Sequence, residues 1–214
     1  MLRKLAFASV LTPTAMTGAA HAEIKSLVVA GGCFWCVEKD FEHVEGVVEA
    51  ASGYAGGQKA NPTYRSHGQH REVVKIDYDS TKTDYKTLVD IFLRTIDPTD
   101  AGGQFCDRGR SYSTAIHAYT AEEKALAEQA VSEAQETLRK PVVTPVEDGV
   151  RFWRAEAYHQ DYYKSDAKIL TRFGLVTKAE AYKGYRKACG RDVRVKELWG
   201  PDAYQGVSHA SSNS

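Results

Sequence analysis

The sequence has no excess of charge: 28 basic residues balance 28 acidic ones, for a formal net charge of zero. Without a basic run it offers nothing to a phosphate backbone or an anionic lipid surface, so neither nucleic acid nor membrane is expected as a partner. After the first twenty or so residues no stretch is apolar enough to span a bilayer. No internal repeat or linker interrupts the chain, which leaves one domain with a substantial core. Cysteine is scarce too, with four residues at 33, 36, 106 and 189. Zinc normally takes four ligands at recognisable spacings, and no second C-x-x-C or H-x-H pair accompanies the first, so no metal is expected.

What is present begins with a leader. Arg3 and Lys4 precede a run of apolar and small residues that ends in Ala20-His21-Ala22, the small-x-small pattern at which signal peptides are cut. Residues 1–22 are expected to be removed, leaving an exported protein, periplasmic or secreted, that starts at Glu23, has no membrane segment and is monomeric.

The remaining pattern alternates strands and helices. An apolar run at 27–30 reads as a buried strand ending in the turn Gly31-Gly32. A helix is expected over 34–41, strands at 47–54 and 72–79, and a polar loop between them at 55–69. An apolar stripe at helical spacing marks a helix over 84–96. Thr120 with Glu123 forms a capping box that opens another, reaching Leu138. Further strands are expected at 112–119 and 142–146, and a last core helix at 156–170. After Thr171 the chain is polar and is expected to be partly irregular, with a disordered end at 208–214. The fold class is α+β: a two-layer α/β sandwich with a mixed sheet, a ferredoxin-like variant.

The chemistry concentrates at Gly32-Cys33-Phe34-Trp35-Cys36. Cys33 falls where a strand turns into a helix, and helix-start N–H groups stabilise a thiolate. Gly31 and Gly32 leave the sulfur unobstructed. Phe34 and Trp35 put apolar surface beside a reactive atom, which suits a methyl or thioether ligand, although core packing would also account for them. An even number of cysteines in an exported chain is also compatible with two structural disulfides.

These residues resemble the signature of the peptide methionine sulfoxide reductase A family, whose members restore methionine from one sulfoxide epimer. The resemblance extends through SGYAGG at 52–57, NPTY at 61–64, HREVV at 70–74, DPT at 97–99, DRGRSY at 107–112 and AEAYHQ at 155–160. It covers roughly 26–164 and implies a catalytic domain over 23–170 followed by a C-terminal extension over 171–214. It also implies that Cys33 attacks the sulfoxide sulfur and Glu72 protonates its oxygen. Tyr64 and Tyr112 would donate hydrogen bonds to that oxygen, Asp107 would position the site, and Phe34 and Trp35 would hold the substrate methyl. His70 and His159 match family positions as well.

The Cys33 sulfenic acid formed in this reaction would condense with a second thiol, Cys36 or Cys189, and Cys36 is the better placed, one helical turn away. Cys106 reads as a thiol lining the pocket. No bound cofactor is implied, and a thioredoxin-like protein would renew the disulfide. Two alternatives remain: an exported thiol–disulfide oxidoreductase using Cys33 and Cys36, and a secreted binding domain with two structural disulfides.

Overall fold

Strand residues alternate between two faces, and where both faces are apolar the strand belongs in the middle of a sheet. In the computed structural model, which describes residues 22–208, the first strand is such a strand. The elements follow as Ile24–Ala30 (β1), Phe34–Phe41 (α1), Val47–Ala55 (β2), Arg71–Asp79 (β3), Tyr85–Leu93 (α2), Gly103–Gln104 (β4), Asp107–Arg108 (β5), Ala115–Ala118 (β6), Ala121–Leu138 (α3), Val146–Asp148 (β7), Trp153–Arg154 (β8), Lys168–Thr171 (β9), Gly174–Thr177 (β10), Lys178–Ala188 (α4) and Arg191–Trp199 (α5). Nearly all of the expected leader and of the expected disordered end lies outside the described residues.

Six strands form one sheet in the order β7-β6-β1-β3-β2-β8. β6 and β7 are parallel and the other pairs antiparallel, so the sheet is mixed. Leu27, Val29, Val74, Ile76 and Ile116 project to the face covered by helices, joining Phe41, Leu88, Phe92 and Ile96 in the main core. Val28, Ala30, Val73 and Ala115 project to the other face, beneath Val150 and Phe152. This is an α+β fold with its helical layer on one side.

The expected helices at 34–41, 84–96 and 120–138 form, the second shortened to Tyr85–Leu93. Asp84 and Thr120 cap the latter two by accepting the N–H groups of Thr87 and Glu123. The expected strand at 112–119 shrinks to Ala115–Ala118, and the one expected at 142–146 lies later, at Val146–Asp148, with 142–145 in no strand.

One expectation fails. The stretch 156–170 is no helix: it holds two single 3-10 turns, with Asp161 between them in the left-handed region at φ 55°. The residues after Thr171, expected to be partly irregular, hold β10, which pairs with β9 before it, then helices α4 and α5, and end in turns after Trp199. A full capping box, Thr177 with Glu180, starts α4. Val195, Trp199, Tyr204 and Val207 belong to the same core as the sheet and α2.

Candidate active site

A tight turn joins β1 to α1, and two glycines make it possible for steric reasons. A Cβ on Gly31 would stand 2.8 Å from the Val37 side chain and 2.9 Å from Phe92. Gly32 has φ +82°, and a Cβ there would meet the buried Gln104 at 2.6 Å. The glycines therefore seat the turn against the core and the β4–β5 loop, and the expected clearing of the sulfur is not their main effect. Cys33 is the cap residue of α1, half-buried, and Cys36 is buried one turn on.

Residues 72, 74 and 76 share one strand face. Val74 and Ile76 enter the core, and Glu72, nearer the end of β3, comes out under the first turn of α1. There its Oε2 accepts the Phe34 N–H at 3.0 Å, a helix-start N–H that otherwise has no partner. Burial pushes the Glu72 carboxyl up to about 8, with Asp107 adding to the effect and the Phe34 N–H opposing it. At neutral pH Glu72 is a proton donor.

Cys33 and Cys36 are both free, and the Cys36 N–H donates to the Cys33 carbonyl at 3.1 Å. The interaction between the two thiols, with burial, raises the Cys33 thiol, and the same interaction lowers Cys36 to about 6. Burial opposes the drop at Cys36, while Arg191 and then Arg186 assist it. The helix-start effect expected at Cys33 thus meets two opposing influences, burial and the neighbouring Cys36.

Both arginines come from the C-terminal segment, and no local sequence signal pointed to them. Arg191 is buried, donating from Nη1 to the Gly31 carbonyl at 3.1 Å and from Nη2 to Thr95 at 3.0 Å. Its Nε has no partner among the described residues. Arg186 donates from both Nη atoms to the fully buried Asp40 at 3.1 Å, and from Nε to Asp192 at 2.9 Å.

Aromatic residues wall the site. Trp35 stacks on Tyr162, ring centroids 3.8 Å apart and planes 12° from parallel, and its Nε1–H donates to His159 Nδ1 at 3.2 Å. Burial lowers His159 to about 4, so it is neutral and orients Trp35. His70 is buried away from the pocket, accepting the Gly57 N–H at 3.1 Å and donating to the Lys59 carbonyl at 2.8 Å. It braces the 56–70 loop. That loop carries Tyr64, whose N–H donates to Glu156 at 3.0 Å. Burial raises both the Tyr64 and Tyr112 phenols, which stay protonated and line the same cavity.

Cys33, Phe34, Trp35, Cys36, Tyr64, Glu72, Asp107, Tyr112 and Cys189 all line one cavity of about 440 Å³, large enough for a small ligand or a single side chain. One sequence expectation needs correction here. Cys106 is no free thiol: it forms a disulfide with Cys189, with Cα atoms 4.9 Å apart. Cys189 is therefore engaged in this state, whereas Cys36 is free beside Cys33.

The family model described as peptide methionine sulfoxide reductase matches residues 25–189. The chain belongs to the peptide methionine sulfoxide reductase family. It is 46% identical over 211 residues to peptide methionine sulfoxide reductase MsrA 2 of Rhizobium meliloti, covering 98% of this chain and 100% of that one. With its Caulobacter vibrioides counterpart it shares 41% identity over 201 residues, 91% and 96% of the two chains. Among solved structures, methionine sulfoxide reductase A of Corynebacterium diphtheriae superposes with a TM-score of 0.61 at 28% identity, covering 70% of this chain and 79% of that one. Peptide methionine sulfoxide reductases are oxidoreductases.

Proposed function

We propose that this chain reduces methionine S-sulfoxide, free or in proteins, to methionine, repairing oxidative damage. The observation that carries the mechanism is a protonated carboxyl, Glu72, hydrogen-bonded at the first turn of the helix that Cys33 opens. A sulfoxide oxygen leaves only when protonated, and a buried acid with a pKa near 8 can supply that proton at neutral pH. Tyr64 and Tyr112 donate hydrogen bonds to the same oxygen, Asp107 helps to position the site, and Phe34 and Trp35 hold the methyl group.

The steps balance as follows. Cys33 attacks the sulfoxide sulfur as its proton passes to the Cys36 thiolate and Glu72 protonates the oxygen. The S–O bond breaks, hydroxyl transfers to Cys33 as a sulfenic acid, and methionine departs. Cys36 then attacks the Cys33 sulfur, releasing water and forming the Cys33–Cys36 disulfide. Cys36 serves as the resolving thiol because it is free and adjacent, while Cys189 is already bonded. A dithiol of the thioredoxin type supplies two electrons to reopen the disulfide, and no bound cofactor takes part. Loss of S-sulfoxide reduction in Cys33→Ser, together with wild-type activity against S but not R epimers of a peptide, tests this reading. Preferential reduction of insulin disulfides would favour the oxidoreductase alternative.

The leader at 1–22 supports export, with the enzyme working in the periplasm or outside the cell on electrons delivered across the membrane. N-terminal sequencing of the exported protein is expected to begin at Glu23.

A further inference from the structure

The hairpin β9–β10 shows apolar residues on both faces, with the polar pair Lys168 and Thr177 beside them on the outer one. Ile169 and Val176 stand directly opposite each other and face inward, packing with Trp35, Cys36 and Tyr162. One step along each strand, Leu170 and Leu175 are also direct partners, and they face outward. A solvated face of a two-stranded sheet ordinarily carries polar residues. Here Leu170 is 79% exposed and Leu175 66%, more than any other large apolar side chain among the described residues. Phe173, in the turn between them, is 42% exposed.

This bare pair is continuous with the catalytic cavity, because Leu170, Thr171 and Arg172 form part of its lining. A methionine sulfoxide side chain inserted toward Cys33 brings its own backbone over that rim. An extended chain advances about 3.3 Å per residue, so residues two or three positions away reach the leucine pair. Methionine is mostly buried in folded proteins, among apolar neighbours. A segment open enough to present its sulfoxide to a cavity therefore also presents those neighbours.

We propose that the Leu170–Leu175 face is a docking surface for the apolar residues flanking an oxidised methionine in an unfolded, extended polypeptide. The proposal rests on the reading of the cavity as a sulfoxide site and adds a selectivity that the cavity alone does not provide. Free methionine sulfoxide enters the cavity without reaching Leu175, which lies outside its lining, whereas an unfolded chain engages both the cavity and the whole leucine pair.

The test compares kcat/KM for N-acetyl-methionine sulfoxide, a peptide sulfoxide flanked by leucines and the same peptide flanked by serines. In the wild type, the leucine-flanked peptide is expected to exceed the serine-flanked one about tenfold, a step typical of apolar anchors. Leu175→Ser, which lies outside the cavity lining, is expected to lower that ratio to about threefold and Leu170→Ser/Leu175→Ser to near unity. The N-acetyl substrate should change less than twofold in Leu175→Ser. Equal rates for the two peptides in the wild type overturn the proposal, as does an equal fall for all three substrates in Leu175→Ser. A raised KM for the thiol donor with an unchanged peptide ratio would assign the face to the reductant. A wild-type dimer by sedimentation that Leu175→Ser dissociates would assign it to a second copy. If the wild type fails on N-acetyl-methionine sulfoxide itself, the sulfoxide reading fails and not merely the docking surface.

Discussion

Cys33 and Cys36 lie on adjacent turns of one short helix, and both are free. Cys106 and Cys189 lie 83 positions apart, on a loop and at the end of α4, and are joined. Both pairs line the same cavity. The inner pair has the buried Arg191 and the half-buried Arg186 beside it, whose positive charge favours a thiolate at Cys36. The outer pair ties the β4–β5 loop, which bears Asp107, to the segment that brings in those arginines. Burial alone does not make a cysteine reactive; its charged neighbours do. A disulfide on the rim of an active site can serve that arrangement by holding the neighbours in place.

The largest effect that would sharpen this contrast is at the nucleophile. Cys33→Ser is expected to lose more than about a thousandfold in methionine formation. Cys36→Ser should still form one methionine per enzyme and then stall; sustained turnover with a thioredoxin-type donor would instead bring the outer pair into resolution. Next comes Glu72→Gln, expected to lower kcat between about a hundredfold and ten-thousandfold, with wild-type kcat falling as pH rises through about 8.

The same carboxyl has an effect on stability. Because its pKa in the folded protein is raised, its contribution is fully present below the unfolded value near 4.5 and is lost as pH rises through about 8. Urea unfolding at pH 9 should find Glu72→Gln more stable by about 5 kcal/mol, the difference closing toward pH 4. Cys106→Ser tests the outer pair. Opening an 83-residue loop should cost about 4 kcal/mol in urea unfolding on the chain-entropy model, with the first turnover changing less than about threefold. The smallest effect expected is at Arg191→Met: thiolate absorbance at 240 nm should titrate about one pH unit higher, since removing a cation raises a thiol pKa. An unmoved titration would deny the arginine its electrostatic part.

Much of this was legible in the sequence where local rules act alone. The strands at the sheet centre, the capped helices and the strand-to-helix setting of Cys33 all follow from period and cap residues. The expected helix at 156–170 failed because tertiary contacts override its apolar spacing. Tyr162 stacks on Trp35, His159 accepts from Trp35, and the Asp161 N–H donates to buried Glu38 at 2.6 Å. Glu38 itself, raised to about 7 by burial and hydrogen-bonded to Ser52, looks like an ordinary surface glutamate in the sequence. Arg186, Arg191 and the Cys106–Cys189 bond were hidden for the same reason. Each depends on a partner many residues away, and polar composition after Thr171 reads as solvent-facing until that partner is known.

The bond from Arg191 to the Gly31 carbonyl spans 160 positions. A ribosome delivers Cys33 and Cys36 early and Arg186, Cys189 and Arg191 near the end. Until that last segment docks, the arginine charges that assist the Cys36 thiol are missing. A chain cut short before Arg186 would keep both cysteines of the helix and lose the cations beside them.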